Sequence, residues 1–389
     1  SYGFTGIQEI PPYRSLNRLR AGRVIIGQEA VTSYNPANEL PNPELCLEQT
    51  TQFDVGLDIG LFNNRLNFTA DYYHKLTDDL LLQVPVPANT GFRFIWENIG
   101  QIENKGIELS LNTNNLIGEF RWSTSANVSV NDNRVIELAQ DDTQLFATLF
   151  PNTPGNVNNI VLVEEGAPLG SFYTYVFDGI WQSQDEIDAA GTMPNALPGD
   201  ERYRDINEDG VINGDDRMIT GSGLPRILYG FTNDFAYKNF ELSLFFQGVA
   251  QADILNITRQ GLELLDGDAN VSTAALDRWI GPGTSNLVPR ATSGGSPGPL
   301  LSDKYIEDGS FLRLRTLTFA YNLPTADLGW SWISQARFYF TGQNLLTFTD
   351  YQGIDPEVNA GGQAQLLQGF DQWSYPMQKR YIFGVNLTY

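Results

Sequence analysis

Apolar and polar residues alternate along most of the chain, in segments of about ten residues that resemble barrel strands. In residues 52–61 every odd position is apolar, whereas the even positions include Asp54 and Asp58. Since successive side chains of a β-strand point to opposite faces, such a segment predicts one apolar and one polar face. The same alternation recurs over residues 66–73, 107–112, 120–130, 226–237, 240–248, 311–323, 335–348 and 381–389.

The connections between these segments are either very short or very long. The short ones are predicted at residues 63–64, 114–115, 238–239 and 324–334. The long ones are predicted at residues 84–98, 140–169, 182–225, 250–310 and 350–378. Short turns at one rim, long loops at the other and aromatic residues near strand ends are typical of outer-membrane barrels. We therefore predict an all-β fold, a transmembrane antiparallel β-barrel with long extracellular loops.

The number of strands bears on domain organisation. Roughly a dozen strands are expected, and a sheet in lipid must close because its unpaired edge groups are costly. The first fifty residues show only weak strand patterns, and residues 13–23 are predicted to be a mobile polar stretch. We expect residues 1–389 to be the C-terminal portion of a barrel domain. Its plug, its signal peptide and its other strands would lie outside these residues, or a second polypeptide would complete the barrel.

Charge and composition exclude some functions. The net charge is −22, which argues against nucleic-acid binding because phosphates require a basic surface. Acidity is compatible with hydrated loops, cation binding or uncharged ligands. Cys46 is the single cysteine, so no internal disulfide can form. No segment approaches the ~20 apolar residues of a spanning helix.

Seven segments of the chain stand out as motifs: residues 1–10 (SYGFTGIQEI), 48–58 (EQTTQFDVGLD), 68–79 (FTADYYHKLTDD), 98–109 (NIGQIENKGIEL), 177–181 (FDGIW), 198–216 (PGDERYRDINEDGVINGDD) and 342–357 (GQNLLTFTDYQGIDPE). They resemble motifs of the SusC/RagA family of TonB-dependent transporters, and they follow the family order over nearly the whole chain.

The resemblance implies a 22-stranded barrel with an N-terminal plug in the outer membrane of a Gram-negative bacterium of the Bacteroidetes type. It further implies TonB-dependent import of oligosaccharides or peptides together with a SusD-like surface lipoprotein. The TonB complex would be contacted through residues outside this chain. An alternative left open by the residues is a secreted or surface β-rich adhesin or glycan-binding protein stabilised by calcium.

Residues 205–216 have the spacing of a calcium-binding loop. Oxygen donors stand at the expected first, third, fifth, seventh and twelfth positions, with Gly210 at the sixth for the sharp turn. The predicted ligands are Asp205, Asn207, Asp209, the backbone carbonyl of Val211, and Asp216. We expect calcium to serve structurally, by holding the 182–225 loop. The alternative is a polar turn closed by its own hydrogen bonds.

A catalytic site is not predicted. His74 is the single histidine, and by parity it should lie on the apolar face near a rim, with no serine suitably placed. The carboxylates on the predicted polar face are explained by a hydrated barrel interior; they are Asp54, Asp58, Asp71, Glu108 and Glu241. Five loop aromatics could stack on a ligand or pack the loops: Trp96, Tyr173, Tyr175, Trp181 and Trp373.

Overall fold

The computed structural model describes residues 1–7, 15–27, 29–36, 39–138, 145–147, 159–265, 270–292, 300–325, 327–329, 332–362, 364 and 366–389. Parts of the predicted 140–169, 250–310 and 350–378 loops, and the first residues of the predicted mobile stretch, lie outside that description. No helix among the described residues is both long and apolar enough to cross a membrane.

The described residues form 24 strands. In chain order they are β1 (Tyr2–Ile7), β2 (Leu19–Ile26), β3 (Glu29–Pro36), β4 (Glu39–Leu40), β5 (Glu48–Leu61), β6 (Leu66–Asp78), β7 (Leu81–Pro85), β8 (Phe94–Asn98), β9 (Gln101–Leu116), β10 (Phe120–Glu137), β11 (Leu145–Ala147), β12 (Val161–Val163), β13 (Ser171–Tyr175), β14 (Phe177–Ile180), β15 (Glu201–Tyr203), β16 (Arg217–Ser222), β17 (Ile227–Tyr237), β18 (Phe240–Ala250), β19 (Asp253–Asn256), β20 (Ile306–Asp308), β21 (Phe311–Leu323), β22 (Gln335–Thr349), β23 (Phe370–Asp371) and β24 (Arg380–Thr388).

Helical structure is confined to short segments between the strands. The two α-helices have seven residues each, and the remaining segments are 3-10 turns. They are α1 (Gln184–Ala190), α2 (Ile257–Glu263) and the turns Ala88–Thr90, Gly214–Asp216, Thr273–Asp277 and Asp303–Tyr305.

One antiparallel sheet of ten strands forms the wall of the molecule, in the order β1-β5-β6-β9-β10-β17-β18-β21-β22-β24. Its strands meander up and down in chain order, as the predicted barrel requires. Most of them exceed the usual five or six residues; β9 has 16 residues and β10 has 18. The predicted long two-faced strands are confirmed.

The register places the apolar positions of neighbouring strands in rows on one face, which we call the outer face. Val55 pairs with Tyr72, which pairs with Ile107, which pairs with Val130. Phe53 is 46% exposed and Leu57 is 56% exposed, although both are large and apolar. An apolar face of this size is left uncovered in proteins that meet lipid or a partner. The opposite, polar face is called the inner face.

Aromatic rings crowd the outer face near the end of the sheet that carries the short turns, which we call the turn rim. Trp122 stacks on Phe235 with 5.8 Å between ring centroids, and Phe240 lies 4.9 Å from Tyr321. Such a belt matches the aromatic girdle that anchors barrels at a membrane interface. The other end of the sheet, from which the long connections leave, is called the loop rim.

Three register pairs join a tyrosine to a glycine on the next strand: Tyr73 with Gly106, Tyr229 with Gly248 and Tyr339 with Gly384. A Cβ added to Gly384 would overlap the Tyr339 ring. The missing side chain therefore makes room for the aromatic ring, a device that fixes the register of paired strands.

The turns correct two details of the sequence analysis. The predicted two-residue turn at Asn63-Asn64 is a four-residue turn over 62–65, in which three successive residues have positive φ. The short connection predicted in the Asn114-Asn115 region is present but lies later in the chain: β9 continues to Leu116, and the connection falls at 117–119. An extra residue at a β-bulge, where the Asn115 amide donates to the Thr124 hydroxyl, explains the difference. The turn at Lys238-Asn239 is confirmed.

The long connections are also more ordered than predicted. Residues 19–23, assigned to a mobile stretch, belong to the hairpin of β2 and β3, because Gly27 at φ 68° allows a tight reversal between two strand-forming runs. The 84–98 connection contains β8, which pairs with β7. Strands β11, β12, β13 and β16 form a further small sheet. We call the described residues between the wall strands at the loop rim the loop cap.

The buried core lies in the loop cap rather than in the wall. Its largest cluster includes Phe172, Leu255, Tyr305 and Phe370, all inaccessible to solvent. A second cluster packs the inner-face residues Ile102 and Val135 against loop residues such as Leu169. The cap therefore folds over the inner face at the loop rim and is fixed to it by apolar contacts.

Candidate functional site: the inner face and the loop cap

The inner face is lined by polar side chains that bond to one another. Thr69 donates to Asp58 at 2.7 Å, and the Arg337 guanidinium lies 3.0 Å from Glu241. The carboxylates of Asp54, Asp71 and Glu108 lie on this face too, as the parity predicts. None of these carboxylates is hydrogen-bonded to another within the described residues, so the arrangement is a hydrated wall rather than an acid–base pair.

Two cavities open on the inner face at opposite ends of the wall. One of about 550 Å³ lies beneath the loop cap, where Asn104, Asn131 and Asn133 of the wall face Leu169 and Gln368 of the cap. The second, of about 420 Å³, lies near the turn rim. It combines Arg121 and Arg337 with Asp234 and Glu241, so both charges are represented equally.

The amides of the larger cavity are oriented by the wall and by the cap. Tyr73 donates its hydroxyl to Asn131, and Asn133 donates its amide to Asn104 at 2.8 Å. The backbone N–H of Leu169 donates to the side-chain Oδ1 of Asn133. Oriented side-chain amides beside aliphatic side chains can form hydrogen bonds with the hydroxyls of a sugar or with the backbone of a peptide.

A buried ion cluster holds the distant parts of the cap together. Lys304 lies 2.8 Å from Glu201, and both side chains are only 1% exposed. Glu263 extends the cluster through an ion pair with Arg259, in which Oε1 of Glu263 lies 2.7 Å from Nε of Arg259. Burial and the nearby Glu201 raise the pKa of Tyr203 and of Tyr305, both of which hydrogen-bond to that glutamate. The tyrosines therefore stay neutral donors to the carboxylate.

A second buried ion cluster, which we call the Arg313 clamp, joins the cap to the wall. Arg313 of β21 is 3% exposed and forms ion pairs with Asp355, at 2.6 Å, and with Glu357. Burial acts to raise the pKa of Asp355, but hydrogen bonds from Arg313 and from the backbone N–H groups of Glu357 and Met377 outweigh it and lower the pKa. Asp355 and Glu357 stand at the end of the motif-like segment 342–357. Their contacts with Arg313 explain them as residues that dock the cap onto the wall rather than as reactive groups.

The loop that resembles a calcium site is closed by hydrogen bonds to its own backbone. Asp205 accepts from the N–H of Gly210 at 2.8 Å, and Asp209 accepts from the N–H of Val211. Asp216 is fully buried and accepts from the N–H groups of Ile206 and Asn213. Together these bonds hold the predicted first, fifth and twelfth positions in one compact turn.

The two remaining predicted ligands of that loop also accept hydrogen bonds from within the loop. Asn207 accepts from the N–H of Asp209, and the carbonyl of Val211 accepts from the Asn213 amide at 3.3 Å. Within the described part of the chain no three Asp, Glu, His or Cys side chains are grouped as metal ligands. However, Oδ1 of Asp205 is buried without a hydrogen-bond partner. A buried carboxylate oxygen of this kind is one that a cation would satisfy.

His74 lies on the outer face, on the loop-rim side of the apolar rows, as predicted. Its Nε2 is 2.8 Å from Glu103, whose other oxygen is 2.7 Å from Lys105. Its imidazole has no serine hydroxyl as a hydrogen-bond partner in the described residues. The geometry is therefore that of a surface ion cluster rather than of a nucleophile and its base.

The loop aromatics divide into buried and exposed groups. Trp181 is buried in a small core with Ile187, and Tyr173 packs on Phe146 at 5.5 Å. The ring centroids of Tyr175 and Tyr203 lie 5.7 Å apart. These aromatic rings therefore pack within the cap. Trp96 is half-buried. Trp373 is 63% exposed, so it remains a candidate for ligand contact.

The two buried ion clusters were not predicted from the sequence. Lys304 and Glu201 stand 103 residues apart, and Arg313 and Asp355 stand 42 apart. One weak signal was available, since the resemblance at residues 342–357 ends on Asp355 and Glu357 without any barrel pattern to explain them. The partner arginine carries no such signal in the sequence.

Several known proteins are similar to this chain over most of its length. It is 36% identical to TonB-dependent receptor P3 of Formosa agariphila, over 100% of this chain and 39% of that protein. It is 30% identical to SusC of Bacteroides thetaiotaomicron, over 90% of this chain and 32% of that protein. In the structure of the RagAB peptide transporter, one chain matches with a TM-score of 0.79 and 28% identity.

That match covers 99% of this chain and 40% of the RagAB chain, and the chain spans 39% of the length of the first curated relatives. Residues 2–241 match the family described as TonB dependent receptor-like, beta-barrel. This match includes more than half of the chain and most of the wall strands. The chain therefore belongs to the TonB-dependent receptor β-barrel family, and its ten-stranded sheet is part of such a barrel.

Proposed function

We propose that this chain forms the C-terminal wall and loop cap of a TonB-dependent outer-membrane importer of oligosaccharides or peptides. The observation that supports this most is the pair of opposed faces: an exposed apolar outer face and a polar inner face with an amide-lined cavity under the cap. A wall of this kind separates lipid from a hydrated passage. An adhesin surrounded by water would not expose rows of Phe53, Val55 and Leu57 in this way.

The proposed partners follow from the relatives. A SusD-like lipoprotein would bind at the loop rim, and the TonB complex would supply energy through residues outside this chain. The proposed substrates, oligosaccharides or peptides, are those expected from the resemblance to the SusC/RagA family. The similarity to SusC and to the RagAB peptide transporter supports this proposal. We propose transport rather than catalysis, because the lone histidine is engaged by Glu103 and not by a nucleophile.

The test uses the full transporter in its own bacterium. Cells should lose uptake of an oligosaccharide or peptide when the gene is deleted, and regain it with the intact gene. An uncoupler of the proton gradient should abolish that uptake. The protein should fractionate with outer membranes, migrate differently on gels with and without heating, and copurify with a lipoprotein. Recovery in the water-soluble fraction, or uptake that survives the uncoupler, would contradict the proposal.

We also propose that residues 205–216 bind calcium as a structural ion, held by Asp205, Asn207, Asp209, the Val211 carbonyl and Asp216. The supporting observations are the spacing and the buried, unpartnered Oδ1 of Asp205. Calcium would then limit proteolysis of the 182–225 segment, and a chelator would increase it.

The Asp205→Asn variant should be cleaved at the chelated rate even with calcium present. Asp185→Asn, an exposed change in α1, is the matched control and should behave as the parent. Equal cleavage with and without calcium in the parent protein would show that the loop is a self-bonded turn.

A further inference from the structure

A third cavity on the inner face, of about 540 Å³, lies near the loop rim between β21, β22 and β24 and the segment that precedes β24. Arg315 and Arg380 line it, and no carboxylate does. The register places it on the inner face, because Arg380 pairs with Gln343 and the adjacent pair of Gly342 with Tyr381 belongs to the outer face. It is therefore open to the same passage as the amide-lined cavity.

The charge of this cavity differs from that of its surroundings. The chain carries a net charge of −22, and in the cavity near the turn rim two arginines face two carboxylates. Here Glu357, which is shared with Arg313, is the acid that contacts Arg315. Within the described residues, Arg380 has neither an ion pair nor a side-chain hydrogen bond. The cavity is thus a local positive site in an acidic protein.

The hydrogen-bonding capacity is largely unused. Arg315 directs its Nη1 to Glu357 and Asn344, which leaves Nη2 and Nε available. The side chains of Thr316, Gln343 and Tyr375 line the cavity without side-chain partners among the described residues. Two guanidinium groups offer paired N–H donors that suit a carboxylate, whereas the amide and hydroxyls suit neutral polar groups beside it.

The cavity is also placed where an incoming ligand would reach it. Tyr375 is 81% exposed and Arg380 is exposed, and both stand at the loop rim. Its volume falls in the range of ligand sites. The neighbouring Arg313 clamp fixes Glu357, so Arg315 is held in place before a ligand arrives. Preorganised donors bind an anion with a smaller entropic cost.

We infer that this cavity binds a carboxylate group of the transported oligomer, so that the substrate class is acidic rather than neutral. The inference rests on the proposed import function and deepens it. An acidic oligosaccharide and an acidic peptide share the carboxylate, and the binding test has a separate arm for each.

Binding is measured by calorimetry on the full transporter in detergent, with oligogalacturonate and oligoglutamate as the acidic probes. A malto-oligosaccharide and an oligoserine peptide serve as their neutral counterparts. At least one acidic probe should bind more tightly than its neutral counterpart, and its binding should weaken as salt is raised. Arg380→Gln should raise its Kd about tenfold, because a charge-assisted hydrogen bond is lost.

Arg380→Gln should not disturb folding, since the residue is exposed and makes no side-chain bond in the described structure. Lys379→Gln is the matched control: it removes the same charge one residue away, does not line the cavity and should leave the Kd within about twofold. Arg380→Lys should recover part of the affinity. Equal Kd values for the parent and Arg380→Gln, or tighter binding of both neutral probes, would overturn the inference.

Uptake by cells separates this inference from the import function. If neutral oligomers are imported and acidic ones are not bound, the importer stands and the acidic specificity is wrong. If the acidic probe binds in an Arg380-dependent way but uptake is unchanged by deletion of the gene, the site stands and the import function is wrong.

Discussion

The wall and the loop cap use the same apolar residue types with opposite burial. In the wall, Phe53 and Leu57 are exposed on the outer face, whereas in the cap Phe172 and Leu255 are fully buried. The burial of charged side chains differs as well. The cap buries Lys304 with Glu201, whereas the wall keeps Asp58 on a hydrated face. The cap is thus built like a water-soluble domain, whereas the wall relies on its surroundings to cover its apolar side.

This contrast separates two sources of stability. Wall strands within the sheet are held by backbone pairing to both neighbours, and under the proposed function lipid covers their outer face. Each inner-face residue should therefore contribute little on its own. The cap depends on a few buried clusters that join segments far apart in the chain. Damage to one such cluster should loosen the cap and leave the wall intact.

The largest expected effect follows from Lys304→Met. The change would leave Glu201 buried without its cation, at a cost of about 3–5 kcal/mol to the folded cap. Hydrogen exchange should accelerate in α2 and in β20 but not in β9 or β10. Lys379→Met, at an exposed position, is the control and should change neither region. Loss of protection in the wall strands as well would show that cap and wall unfold as one unit.

The wall should be most sensitive on its outer face. Leu57→Arg places a charge on the apolar belt and should cost about 2–4 kcal/mol in the free energy of unfolding from vesicles, measured in urea. Asp58→Asn, at the next position on the inner face, should change it by less than about 0.5 kcal/mol. Similar costs at the two positions would contradict the assignment of the two faces.

Acid should loosen the cap at its clamp. The pKa of Asp355 is lowered in the folded state, so its contribution is present above the unfolded value of about 3.9 and is lost as pH falls through the folded value. Proteolysis between residues 350 and 378 should therefore rise at acidic pH, as read with an acid-active protease. Asp355→Asn should flatten this acid dependence, and an unchanged profile in that variant would exclude Asp355 as its source.

The smallest effect concerns the tyrosine–glycine pairs. Gly384→Ala forces the Tyr339 ring aside and should lower wall stability by about 1 kcal/mol, within the usual range for overpacking. In a Tyr339→Ala background the same change should cost almost nothing, because the ring is gone. A double-mutant cycle in urea measures the coupling. Additive effects would show that the pair does not interact.

The sequence by itself determined the two faces of the wall. Alternation over residues 52–61 and 120–130 fixes which side chains share a face, because the strand period of two is local and needs no partner. The same local pattern located most of the strands and the turn at Lys238-Asn239. It placed the short connection in the Asn114-Asn115 region too early in the chain, because a bulge adds a residue that polarity does not reveal.

The tertiary structure alone decided how the cap is held and where an anion can bind. Lys304 meets Glu201, Arg313 meets Asp355, and Arg315 and Arg380 share a cavity only because folding joins segments tens of residues apart. A charged residue in a loop has no period and no fixed neighbour, so its sequence position does not show whether water or another charge will satisfy it. That choice is made by the packing of the loops against the wall.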